Sequence, residues 1–211
     1  MKQLGLFGGS FNPIHNGHLH LVRAVRRGLR LSGIVLMPAG EAPHKDSSAY
    51  AGAADRLAMC RLAAEPYPWL TVSDYETNKP GKSYTVETLR HLRETVPDAA
   101  WTLLIGSDML LTFETWRCWE EILQSARLCA VSREPGDLPL LREHAAALRR
   151  AVPGAHIRVL SVEAMPLSST EIRQKLQKNA DCSCLLPRNV VQYICQKGLY
   201  GKGDGEHEQT G

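Results

Sequence analysis

Apolar positions along this chain fall into two kinds of run that take turns. Short ones, at residues 4–7, 34–37, 70–72, 101–105, 128–131 and 156–160, are too brief for helices and predict buried strands. Between them, apolar residues recur at helical spacing. The first such segment covers residues 16–31, with Leu19, Val22, Val25 and Leu29 on one stripe. Others cover residues 55–64, 85–95 and 138–151, and a last one starts near Pro187 and stops near Gly198. Strand and helix alternate, so the units are β-α-β with right-handed crossovers. The pattern predicts an α/β fold, a parallel sheet with helices on both faces and a small helical extension at the C-terminal end.

Turn and cap residues sharpen these bounds. Asn16 is placed as the N-cap of the first helix, Ser32-Gly33 as its stop, and Lys79-Pro80-Gly81 as a tight turn. Residues 47–54, rich in Ser, Ala and Gly, read as mobile. The 211 residues suit one domain over 1–200, and the Gly-rich, charged stretch 201–211 reads as a disordered tail. A net charge of +3 without a Lys/Arg block argues against nucleic acid or a membrane surface as partner. No signal peptide and no apolar stretch of spanning length is visible, so a cytoplasmic protein is expected. Six cysteines, Cys60, Cys118, Cys129, Cys182, Cys184 and Cys195, are scattered, and free thiols are expected there. Monomer and homo-oligomer both stay open.

Candidate chemistry gathers where strands hand over to helices. After the first strand, Gly8 and Gly9 let the backbone turn and approach a ligand, and a helix N-terminus follows. His15 and His18 sit at that mouth, three residues apart, so both imidazoles can face one phosphate chain. A zinc site would need further ligands at recognisable spacing, and none follows. The Walker phosphate loop is absent because no Gly-Lys-Ser/Thr follows the glycines, and the dinucleotide fingerprint lacks its third glycine. His44 and Lys45 lie past the second strand, at the edge where ligands of parallel sheets bind. Thr85 is placed as N-cap or first-turn residue of a helix whose amides can receive an anion. Asp108, after Gly106, can accept from ribose hydroxyls, cap a helix, or do both. Phe113, Trp116 and Trp119, at spacing three, read first as a core stripe, with one tryptophan free to stack on a ligand ring. Arg133 ends another strand. In Pro166-Leu167-Ser168-Ser169-Thr170-Glu171-Ile172-Arg173, Ser168 or Ser169 caps a helix, and Arg173 stands in its first turn with a fork suited to phosphate.

Gly8-Gly9-Ser10-Phe11-Asn12-Pro13-Ile14-His15-Asn16-Gly17-His18 closely resembles the signature of the nucleotidyltransferase superfamily that carries a His-x-Gly-His motif. Ser168-Ser169-Thr170-Glu171-Ile172-Arg173 resembles that superfamily's second element. Taken with Pro43-His44-Lys45, Asp55-Arg56-Leu57 and Ser83-Tyr84-Thr85, the chain from Lys2 to about Tyr200 is similar to the bacterial nicotinate-nucleotide adenylyltransferases. Asn12 stands where many members carry aspartate, and both occur. The resemblance implies a Rossmann-like sheet and transfer of the adenylyl group of ATP to nicotinate mononucleotide, in NAD biosynthesis. It implies ATP contacts from Gly8, Gly9, Ser10, Phe11, His15, His18, Gly106, Asp108, Ser168, Ser169, Thr170 and Arg173, of which His18, His15 and Arg173 are the catalytic candidates. It implies nicotinate-nucleotide contacts from Lys45, Ser83, Tyr84, Thr85, Trp116, Arg117 and Arg133. Magnesium (Mg2+) is expected on the substrate's phosphates, since no carboxylate cage is evident and no protein metal ligands are assigned. Two rivals are a sister enzyme acting on an aliphatic acceptor such as pantetheine phosphate, and a nucleotide-binding regulator without turnover. The aromatic Trp116 argues against the first, and the intact His15, His18, Ser169 and Arg173 against the second.

Overall fold

The computed structural model describes residues 1–40, 50–132, 134–163 and 165–201. Its strands are β1 (Lys2–Gly9), β2 (Gly33–Pro38), β3 (Leu70–Val72), β4 (Ala99–Gly106), β5 (Arg127–Ser132) and β6 (Ile157–Ser161). All pair in parallel within one sheet, in the order β3-β2-β1-β4-β5-β6. The chain therefore steps outward from β1 to β3, then crosses back to start again at β4 on the other side of β1. Between β1 and β4 the loops depart in opposite directions, which opens a crevice at the carboxyl ends of these two strands.

Helices α1 (Asn16–Leu29), α2 (Ala53–Ala64), α3 (Tyr75–Asn78), α4 (Thr85–Thr95), α5 (Ser107–Leu111), α6 (Trp119–Ser125), α7 (Leu138–Ala151), α8 (Ser169–Gln177) and α9 (Arg188–Lys197) connect and flank the strands. Side chains alternate across the sheet. Trp101, Leu103 and Ile105 of β4 join one core with Leu89 of α4 and Leu141 of α7. Leu104 joins the other, with Val22 and Val25 of α1, Met59 of α2, Ile172 of α8 and Ile194 of α9. Of the stripe read for α1, Leu19, Val22 and Val25 are buried, joined by Leu21, while Leu29 is half-buried; each fully buried Leu or Val contributes about 1.5–3 kcal/mol.

Several bounds differ from the sequence reading. The first helix is capped by His15 rather than Asn16, because His18 reaches back to the His15 amide. It ends on Arg30, at φ 53 in the left-handed region, and Gly33 already belongs to β2. The chain does not turn at Gly8 and Gly9, which continue β1; the left-handed residue is Phe11, at φ 45. Helix α3 goes unannounced, since four residues are too few to show a helical period. Phe113, Trp116 and Trp119 do not share a helix: a 3-10 turn at Phe113–Thr115, an extended Trp116 and a left-handed Cys118 precede α6. In the segment expected to be mobile, Ala51 is buried and residues 53–54 belong to α2, while residues 47–49 lie outside the described ones. The expected tail lies outside them too, apart from Gly201.

All six cysteines are free thiols, with Cys60, Cys129 and Cys182 buried and Cys118, Cys184 and Cys195 exposed. Burial pushes the Cys129 thiol up to about 12, so it stays protonated. Among the described residues no helix is long and apolar enough to cross a membrane.

Candidate active site

The loop from Ser10 to Ile14, between β1 and α1, is the node of the crevice. Phe11, Asn12, Pro13 and Ile14 are all buried, although the loop lies at the sheet's ligand-binding edge. Its polar backbone groups must then find partners within the protein, and they come from distant elements. Arg56 of α2, 2% exposed, donates to the carbonyls of Ser10 (2.7 Å), Gly40 (2.6 Å) and Ala51 (3.1 Å). Desolvation holds its guanidinium pKa below the ordinary arginine value. Arg56 thus ties α2 to this loop.

At the mouth of α1, the backbone N–H of His15 donates to Nδ1 of His18 at 3.2 Å. The two rings stack with centroids 3.7 Å apart and planes 27° from parallel. His15 is 4% exposed, whereas His18 is half-buried and lies edge-on to Phe11. Gly17 is what admits this arrangement, because a Cβ there would stand 3.0 Å from Nδ1 of His15. At Gly8, by contrast, a Cβ would meet no protein atom nearer than 4.0 Å, so its missing side chain leaves open space at the end of β1.

The second motif lies directly on the first. Ser168 is the N-cap of α8, its hydroxyl accepting from the Glu171 amide at 3.2 Å. Ser169 donates its hydroxyl to the Pro13 carbonyl at 3.0 Å. Arg173 donates to the Asn12 carbonyl at 2.8 Å and to Oγ1 of Thr170 at 3.2 Å. Two helix N-termini, each a partial positive charge with amides to offer, thus share one loop.

Gly106 ends β4, one strand over from Gly8 and Gly9. A Cβ at Gly106 would stand 2.6 Å from Oδ1 of Asp108, so that carboxylate folds back over the strand end. The helix-cap reading of Asp108 falls away, since α5 is capped at Gly106 without a side-chain bond; its place on the crevice edge remains.

Ser83, Tyr84, Thr85, Trp116 and Arg117 come together as the lining of a cavity of about 250 Å³, with Thr115 and Ile122 completing it. Thr85 is the first residue of α4, whose cap position carries no side-chain acceptor. Trp116 is half-buried and tilted against Phe113, centroids 5.2 Å apart. The Arg117 guanidinium lies 4.7 Å over the Tyr84 ring and 3.3 Å from Glu87, whose other oxygen pairs with Lys79. That hydrogen bond from Lys79 holds the Glu87 carboxyl below its usual range. The hydroxyl of Ser83 is buried without a hydrogen-bond partner among the described residues. His44, Lys45 and Arg133 lie outside the described residues.

Sequence reasoning missed Glu87, Thr115 and Ile122 around the small cavity, and the depth to which Arg56 and Tyr200 reach the loop. Their partners are remote in the chain, and no local spacing announces them. A larger open cavity of about 790 Å³, lined by Trp101, Arg93 and Arg127, lies at the opposite, amino-terminal edge of β4 and β5, away from both motifs.

Comparison with known proteins gives the family. Residues 6–175 match the model of the cytidylyltransferase-like family. The chain is 38% identical, over 96% of its length and all of its relative, to a probable nicotinate-nucleotide adenylyltransferase of Neisseria meningitidis serogroup C. It is 39% identical, over 93% of its length and 95% of the relative, to one from Acidithiobacillus ferrooxidans. The nicotinic acid mononucleotide adenylyltransferase of Plasmodium falciparum, solved in complex with NaAD, superposes with a TM-score of 0.75 at 17% identity, covering 95% of this chain and 98% of that one. The chain belongs to the cytidylyltransferase-like family and, within it, to the nicotinate-nucleotide adenylyltransferases.

Proposed function

We propose that the crevice between β1 and β4 is where this adenylyltransferase joins ATP to nicotinate mononucleotide, giving nicotinate adenine dinucleotide and pyrophosphate in NAD biosynthesis. The observation that carries the placement is the clasp of α8 onto the Asn12-Pro13 loop, which sets two anion-binding helix ends around one space. A phosphate oxygen of the mononucleotide attacks the α-phosphorus of ATP in line; a new P–O bond forms as the α–β bridge breaks and pyrophosphate leaves. The attacking phosphate is already ionised at neutral pH, so no general base is required. Catalysis then rests on positioning and on donors aimed at charge that grows on the phosphoryl oxygens.

His18 supplies one such donor, and the buried His15 backs its ring. Arg173, with Ser168, Ser169 and Thr170 around the α8 N-terminus, faces the triphosphate; Gly8, Gly9, Ser10 and Phe11 let its backbone come close, and Gly106 and Asp108 meet the ribose. The 250 Å³ cavity receives the pyridine ring, with Trp116 as its stacking face and the amides near Thr85 and Arg117 on the carboxylate. Lys45 and Arg133 complete the phosphate neutralisation. Magnesium would enter as part of the ATP substrate. Bound there, the ion would offset charge on the triphosphate oxygens.

The direct test is pyrophosphate release from ATP with nicotinate mononucleotide, nicotinamide mononucleotide or pantetheine phosphate as acceptor. Nicotinate mononucleotide should be used best. Turnover with pantetheine phosphate alone, or with no acceptor, would overturn the assignment.

A further inference from the structure

The end of the described chain returns to the catalytic loop. Helix α9 stops at Gly198, at φ 60, and Tyr200 follows at φ 64, so two left-handed residues within three positions fold the backbone inward. A non-glycine residue holds that conformation only where its surroundings impose it. At Tyr200 the constraint is visible: its hydroxyl donates to Oδ1 of Asn12 at 2.6 Å, across 188 positions of sequence. Asn12 is 1% exposed, and the same oxygen also accepts from the Ala51 amide at 3.1 Å. The Asn12 carbonyl in turn accepts from Arg173. Burial raises the Tyr200 hydroxyl's pKa above its ordinary value, so it remains a donor at any working pH.

We propose that Tyr200 is a positioning residue for adenylyl transfer: through Asn12 it holds the Ser10–Ile14 loop, and with it the groups around Arg173 and His18, in the geometry that in-line attack needs. This rests on the function proposed above. Arg56 secures the Ser10 carbonyl, Ser169 the Pro13 carbonyl, and Tyr200, together with the Ala51 amide, the Asn12 side chain. Losing the shorter of the two bonds to Asn12 leaves the loop attached but able to shift, and a misplacement of about 1 Å can lower turnover roughly 100-fold.

Tyr200→Phe removes only the hydroxyl. Wild type and variant are compared for kcat, for KM of ATP and of nicotinate mononucleotide, and for thermal unfolding. We expect kcat to fall about tenfold to 100-fold, while both KM values stay within about threefold and the unfolding midpoint stays close to wild type. Unchanged kcat overturns the proposal, and so does a loss traceable to a lowered midpoint, which makes Tyr200 a fold contact only. In a second arm, Asn12→Ala combined with Tyr200→Phe should cost no more turnover than Asn12→Ala alone, because Tyr200 acts through Asn12; additive losses would again overturn it. Absence of turnover in the wild type would instead refute the assigned reaction.

Discussion

The backbone N–H of His15 donates to Nδ1 of His18, and this bond decides which nitrogen of His18 carries the proton. A neutral imidazole that accepts at Nδ1 must be protonated at Nε2, so His18 is fixed as a hydrogen-bond donor at its other end without needing a positive charge. Such a donor acts on charge that appears only in the transition state. His18→Ala should therefore lower kcat about 100- to 1,000-fold and change KM little. Steady-state kinetics on both substrates decides this; a rise in KM at constant kcat would confine His18 to ground-state binding.

Gly17→Ala probes the same pair from behind. The new Cβ would stand 3.0 Å from Nδ1 and 3.1 Å from Cε1 of His15, a ring too buried to move aside freely. Helix propensity favours alanine by about 1 kcal/mol, so a purely local account predicts stabilisation. We expect at least tenfold lower kcat with little or no loss in the thermal midpoint, since the His15–His18 stack must shift. Wild-type turnover in this variant would show that the stack tolerates displacement.

What was legible in the sequence follows the range of the interactions. Each of the six strands is a short run of apolar residues, and each shows in the pattern. The α8 cap shows too, because Ser168 and Glu171 are three residues apart. The cavity around Thr85 and Trp116 was assembled by resemblance to a family, not by spacing. Tyr200 and Asn12 were hidden in a different way: 188 positions separate them, and nothing local says which atom Tyr200 reaches. Helix α3 lay below the length at which a period can register. Glu87 reads as an ordinary first-turn acid until Lys79 and Arg117 are seen to converge on it.

Glu76, in α3, gives a prediction about pH. Its carboxyl pKa is raised, chiefly by burial and against the hydrogen bond from Thr88 at 2.6 Å. A carboxyl whose pKa is higher folded than unfolded favours folding while protonated, and that advantage is lost as pH rises through the folded value. Glu76→Gln keeps an acceptor for Thr88 without the charge. The variant should unfold at a higher temperature at neutral pH, and its advantage should fade below the ordinary glutamate range of about 4.3. Thermal melts across that range check it; a variant less stable than wild type at pH 7 would mean that the Thr88 hydrogen bond to the charged carboxylate, with Lys79, outweighs desolvation.

Arg173→Lys keeps the charge but not the fork that holds the Asn12 carbonyl and Thr170 together. A lost hydrogen bond to a charged group is worth about 1.5–3 kcal/mol, so KM for ATP should rise roughly tenfold or more. KM for nicotinate mononucleotide should hold within about twofold, because its cavity is lined by other residues. Equal weakening for both substrates would mean that Arg173 acts only by supporting the loop.

Acceptor choice is set by a narrower feature than the stacking ring. Nicotinate and nicotinamide are both planar and aromatic, so Trp116 serves either ring about equally and cannot separate them. Nor is the Arg117 guanidinium well placed to do so: it is exposed, bonded to Glu87 and laid over Tyr84. Backbone amides near Thr85 and Arg117 remain. A carboxylate accepts from two N–H donors at once, whereas a carboxamide must turn its own NH₂ toward one of them and leave a buried donor unpaired. That mismatch costs about 1–3 kcal/mol. Catalytic efficiency should thus favour nicotinate over nicotinamide mononucleotide by roughly tenfold to 100-fold in the wild type. Trp116→Ala should lower efficiency for both acceptors and leave most of the ratio, and Arg117→Ala should likewise leave it largely intact. Parallel kinetics on the three proteins separates the accounts. If the ratio collapses only in Trp116→Ala, stacking geometry selects the acid; if only in Arg117→Ala, the side-chain charge does, and the amides are bystanders.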